Sequence, residues 1–81
     1  MHELSLAMSI VEAAEEEAVA RGAGRVCRIF LKIGKQSGVV PDALAAAYEL
    51  AREHTTLEEC SLVVEETPGN ELLVSALELE G

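Results

Sequence analysis

The first three residues, Met1, His2 and Glu3, are the ones whose order could do chemistry. They place an α-amine, a peptide nitrogen and an imidazole within one short run of chain. Those nitrogens can take adjacent corners of a square plane around a d8 ion such as Ni²⁺, and the Glu3 amide can supply the fourth. Such a chelate sheds protons as it binds, so its affinity should fall as pH drops below neutrality. A plainer reading competes: a histidine at a fraying terminus, with Glu3 adding only a favourable negative charge to a first helical turn.

The remaining reactive side chains are sparse. Cys27 and Cys60 form neither a C-x-x-C pair nor a disulfide framework, and in a reducing compartment both read as buried thiols. A structural zinc site would need both cysteines and both histidines, His2 and His54, to converge, so no zinc is expected. His54 reads as a protonatable cap at a helix end, with an auxiliary metal contact as the alternative. There is no nucleophile with a base at useful spacing, no phosphate-binding loop and no dinucleotide fingerprint, so an enzyme is not expected.

The elements that must position these residues follow from periodicity. From residue 3 to about 21, Leu4, Ala7, Met8, Ile10, Val11, Ala14 and Ala18 share one helical face, opposite Ser5, Ser9, Glu12, Glu16 and Glu17. Gly22 and Gly24 end that helix. Over Arg25 to Ile33 the period becomes two, with Cys27, Ile29, Leu31 and Ile33 facing one way and Val26, Arg28, Phe30 and Lys32 the other. Pro41 starts a second helix running to about His54, its inward face Leu44, Ala47, Tyr48 and Ala51. Further strands cover roughly Cys60 to Glu66 and Glu71 to Glu80. In the last, Leu73, Ser75, Leu77 and Leu79 alternate with Leu72, Val74, Ala76 and Glu78. Between these strands, Thr67-Pro68-Gly69-Asn70 predicts a type II turn with positive φ at Gly69, hence an antiparallel hairpin.

The fold expected is α/β (α+β): two helices packed on a three-stranded sheet in the order α-β-α-β-β. The first two strands should run parallel through a helical crossover, and the place of the third is open.

At 81 residues, 49% of them hydrophobic, the chain suits one domain with a small core. Fifteen acidic against six basic side chains give a net charge of −9, which repels phosphate, and a single Phe and a single Tyr leave little for base stacking. Nucleic acid is therefore not expected as a partner. Charges interrupt every apolar run, which excludes a membrane span, and no basic leader precedes Met1, so a cytoplasmic protein is expected. Five of the six basic residues, Arg21, Arg25, Arg28, Lys32 and Lys35, lie in one short stretch. They read either as a solvated outer sheet face or as a docking patch for an acidic partner. Leu72 and Val74, opposite Leu73 and Leu77, leave apolar surface that a homodimer would cover.

Several segments together resemble one family. They are Met1-His2-Glu3-Leu4-Ser5-Leu6; Leu31-Lys32-Ile33-Gly34 with Ser37-Gly38-Val39 and Pro41-x-x-Leu44; Leu57-Glu58 with Leu62; and Glu71-Leu72-x-Val74-x-Ala76-Leu77-Glu78. In this order they look like the HypA/HybF nickel metallochaperones of hydrogenase maturation. The resemblance implies a metal site at Met1, His2 and Glu3. It also implies nickel delivery to the [NiFe]-hydrogenase large subunit with a maturation GTPase, and a link to urease maturation proteins. Family members carry a zinc domain with two C-x-x-C motifs between what are here the second and third strands. Here a turn at 67–70 stands in its place, so residues 1–81 read as the nickel-binding domain alone, a zinc-domain-deleted variant. Ala46 stands where the resemblance leads one to expect a larger side chain, which would affect packing. The alternative function is a metal-free interaction module docking on a maturation GTPase or hydrogenase subunit.

Overall fold

Alanine and glutamate dominate the first segment, and these are strong helix formers. The computed structural model, which describes residues 3–80, accordingly begins with a long helix. Its elements are α1 (Glu3–Ala20), β1 (Arg25–Gly34), α2 (Pro41–Ala51), β2 (Ser61–Thr67) and β3 (Leu72–Glu80), the expected α-β-α-β-β order. Gly22 adopts φ 66°, the Gly22 N–H donates to the Val19 carbonyl at 3.1 Å and the Ala23 N–H to that of Ala18 at 2.9 Å. Paired bonds of this kind around a left-handed glycine are a Schellman stop.

The core gathers Ala7, Ile10, Val11, Ala14 and Ala18 of α1, Ile29, Leu31 and Ile33 of β1, and Leu44, Ala47 and Tyr48 of α2. Leu4 and Met8 were expected on the buried face, but they are 47% and 55% exposed. They flank the stripe that Ala7, Ile10, Val11 and Ala14 already fill. Helix α2 stops at Ala51, short of His54, whose φ of 61° is incompatible with a continuing helix. Ala46 is exposed, so its small side chain leaves no hole in the core.

The sheet order is β2-β1-β3, with β1 parallel to β2 and antiparallel to β3. The expected β2–β3 hairpin therefore does not form. Opposite charges align across both ladders. β1 carries Arg25, Arg28 and Lys32, whereas β2 brings Glu65 and β3 brings Glu78 and Glu80. The register sets Arg28 opposite Glu78, Arg25 opposite Glu80 and Lys32 opposite Glu65. A basic central strand between two acidic edges pairs opposite charges, while adjacent acidic strands would oppose like ones.

Nor does Gly69 adopt positive φ; among the described glycines only Gly22 and Gly38 do. The connection from β2 to β3 instead passes over the end of β1. Gly34 N–H donates to the Glu71 carbonyl at 2.7 Å, Lys35 N–H to that of Thr67 at 2.8 Å and Gln36 N–H to that of Gly69 at 2.9 Å. A Cβ at Gly34 would collide with the Gly69 backbone.

Two register shifts in the β1–β3 ladder, at Val26/Arg28 and Phe30/Leu31, change which side chains face inward. At the first, Cys27 has no partner on β3, and Val26 is buried while Cys27 is only half-buried, reversing the simple alternation. At the second, β3 switches parity. Leu72, Leu77 and Leu79 pack against the core while Leu73 and Val74 remain exposed. Leu72 thus does not contribute to a free apolar face.

Candidate metal centre

Of the three residues expected to bind metal, Met1 and His2 lie outside the described residues. Glu3 is the first described residue of α1 and is half-buried. The first four N–H groups of a helix lack intrahelical acceptors, so the Glu3 amide is free of the helix ladder and its nitrogen is open to other bonding. A carboxylate in the first turn also suits the positive end of the helix dipole.

The position of Glu3 in the fold follows from how α1 is anchored at its other end. Gly24 N–H donates to the Glu80 carbonyl at 2.8 Å, fixing the exit of α1 beside the start of β1 and the end of β3. Eighteen helical residues then carry Glu3 about 27 Å back along the sheet. Where segment 67–71 crosses the end of β1, Thr67 Oγ1 donates to Glu71 Oε1 at 2.6 Å. This bond, together with Lys32, holds the Glu71 carboxyl below the usual carboxylate range.

His54 is not brought to Glu3. Its N–H donates to Glu58 Oε2 at 3.2 Å. Two residues on, Thr56 donates from Oγ1 to Glu15 Oε2 at 2.6 Å. Glu15 lies roughly 18 Å along α1 from Glu3, so His54 is no auxiliary ligand for a site there. Among the described residues, no group of three or more His, Cys, Asp or Glu side chains could hold a metal.

The basic stretch is largely engaged. Arg21 Nε lies 2.7 Å from Glu17 Oε1, Arg25 Nε 3.3 Å from Glu80 Oε1 and Arg28 Nε 3.7 Å from Glu78 Oε1. These exposed pairs add little stability, but they spread negative charge through what sequence order suggested was a basic patch. No helix of the described residues is long and apolar enough to cross a membrane.

Sequence reasoning missed Leu57 and the neighbourhood of Cys60. Leu57 is fully buried although it lies outside any helix or strand. Thr55 Oγ1 accepts the Leu57 N–H at 3.1 Å and fixes the turn that drives this side chain inward. The only available signal was a lone leucine among Thr55, Thr56, Glu58 and Glu59.

Comparison with known proteins places this geometry. The family model described as hydrogenase/urease nickel incorporation, metallochaperone, HypA matches residues 1–72. The hydrogenase maturation factor HypA of Roseiflexus sp. is 48% identical over 68 residues, covering 84% of this chain and 55% of that protein. The factor of the same name from Geobacter metallireducens is 45% identical over 69 residues, covering 85% of this chain and 60% of its own. The chain therefore spans between 55% and 60% of the length of these relatives. The solution structure of the Ni metallochaperone HypA from Helicobacter pylori superimposes with a TM-score of 0.89 at 21% identity, over 99% of this chain and 98% of that one. A second structure, a solution structure of HypA protein, matches with a TM-score of 0.70 over 94% of this chain and 71% of its own. At such identities these two likenesses concern the fold.

Proposed function

The chain belongs to the HypA family of hydrogenase and urease nickel-incorporation proteins, and from that premise we propose that it is a nickel-binding metallochaperone domain for [NiFe]-hydrogenase maturation. Ni²⁺ is its cargo. The ligands are the Met1 amine, the His2 backbone and imidazole, and the Glu3 amide, a donor set suited to a square-planar d8 ion. The observation that carries this reading is that the family match starts at residue 1 and runs without a break through the first helix. The Glu3 amide, free of the helix ladder, adds local support.

The domain passes nickel toward the hydrogenase large subunit with a maturation GTPase in the cytoplasm, and the family's link to urease nickel incorporation extends the same role to urease. It acts without catalysis of its own. The zinc module is missing from between β2 and β3. In support, the match ends at residue 72, the first of β3, and the relatives are much longer. Segment 67–71 closes the gap by bonding to the end of β1. The alternative, a metal-free docking module, drew on the basic stretch, and the ion pairs of Arg21, Arg25 and Arg28 weaken it.

The test is a calorimetric and visible-absorbance titration of Ni²⁺ into the chain with a free Met1 amine. It is run beside His2→Ala and beside a form with one residue added before Met1. One equivalent binding to the native chain, and to neither control, is the expected result. Equal binding by all three, or by none, would overturn the nickel reading.

A further inference from the structure

From their juxtaposition at the far end of the sheet we infer that Cys27 and Cys60 form a redox-active dithiol, one that small-molecule disulfides convert to an intramolecular disulfide within the native fold. The inference does not rest on the nickel reading, since Glu3 lies at the opposite end of α1.

The register carries the argument. The parallel ladder of β1 and β2 begins with Arg28 opposite Ser61, and one step back sets Cys27 opposite Cys60. Neighbouring strands run about 4.8 Å apart, inside the roughly 4.4 to 6.8 Å range of Cα separations that a disulfide spans. Both residues line one open pocket, with Arg25, Thr56, Glu59 and Ser61. The bulge at Cys27 leaves it unpaired with β3, and bulges of this kind re-aim a side chain.

The two thiols differ in a way that assigns their roles. Cys27 is half-buried and lines the pocket beside Arg25, so an incoming disulfide can reach its sulfur. Cys60 is buried, and burial pushes its thiol pKa up. Cys27 thiolate therefore attacks a sulfur of the incoming disulfide, forming a mixed disulfide and expelling one thiolate. Cys60, as its thiolate, then attacks the Cys27 sulfur and expels the second. The protons of the two cysteine thiols end on the two small-molecule thiolates. The cysteines are oxidised by two electrons and the reagent is reduced by two.

The bond would tie the bulge of β1 to the entry of β2, closing a loop that contains all of α2. Constraining a loop of that length stabilises the folded state against the unfolded chain.

The experiment treats the folded full chain with excess oxidised glutathione near neutral pH and follows intact mass, tryptic peptides and thermal melting. The expected product is a monomer lighter by the mass of two hydrogens. Its peptide Val26–Arg28 is joined to the one holding Cys60, and its melting midpoint is raised by about 10 °C. The Cys27→Ser chain should react at least roughly tenfold more slowly, because Cys60 is buried. A lasting glutathione adduct on Cys27, a disulfide-linked dimer, a need for denaturant, or undiminished reaction of Cys27→Ser would each overturn the inference.

Discussion

The phenol of Tyr48, in the last turn of α2, donates a 2.7 Å hydrogen bond to the carbonyl oxygen of Cys60, at the entry to β2. The same oxygen accepts from Arg52 Nη1 at 3.0 Å. Both donors belong to the α2 end of the crossover, so this one carbonyl fixes where the helix hands the chain to the parallel strand. Tyr48→Phe removes one of two donors and leaves the carbonyl satisfied. The expected loss is about 1 kcal/mol, read as a fall in Tm of roughly 4 to 8 °C for a domain this small.

The same pair sets the behaviour at high pH. Burial and the contact with Cys60 push the Tyr48 pKa well above its ordinary value, and burial raises that of Cys60. A raised folded-state pKa means the neutral form is favoured by folding. That stability is whole below the unfolded pKa and is lost as pH climbs toward the folded one. Thermal melts should therefore be unaffected by these groups below about pH 8. Above about pH 10 stability should fall by up to roughly 1.4 kcal/mol per pH unit for each group. Tyr48→Phe should flatten the part of that slope due to Tyr48.

Gly34 is where β1 ends and the β2–β3 connection crosses. Because a methyl group there would meet the Gly69 backbone, Gly34→Ala should cost about 2 kcal/mol or more by forcing the crossing segment away. Urea unfolding would read this as a lowered midpoint. The control is Gly38→Ala, where the open space around Gly38 leaves only the strain of its φ of 83°. Its cost should be about 1 kcal/mol.

Leu57 has no exposed surface yet sits in a turn. Truncation to Ala should cost about 2 to 5 kcal/mol, comparable to losing a leucine from a core helix. Denaturant melts of Leu57→Ala beside the exposed-site control Leu50→Ala would measure the difference.

If the proposed chelate binds Ni²⁺, its affinity should weaken as pH drops below neutrality, because protons compete with the metal for the same nitrogens. Titrations at successive pH values are expected to show this decline.

How much of this was legible in the sequence depends on how far apart the cooperating residues lie. The end of α1 was readable because Gly22 acts on carbonyls three to five residues away. The parallel pairing of β1 with β2 was also readable, because a helical crossover between neighbouring strands leaves few other arrangements. The proposed chelate is the most local feature of all, since its donors are successive atoms of one chain.

Periodicity could not choose the neighbour of β3. Pro68-Gly69 suggested a hairpin with β2, but β3 pairs instead with β1, whose Ile29, Leu31 and Ile33 are buried in the core and which has a strand on each side. Two bulges then shifted the inward set, burying Val26 in place of Cys27 and packing Leu72 rather than Leu73 against the core. A bulge is a property of a pair of strands, and neither strand's own pattern contains it. For the same reason the two cysteines read as unrelated thiols in the sequence. Their types and their place near strand ends were determined there, but only the pairing of β1 with β2 brings them to one pocket. A ladder joins residues by position along two strands, whatever their separation along the chain.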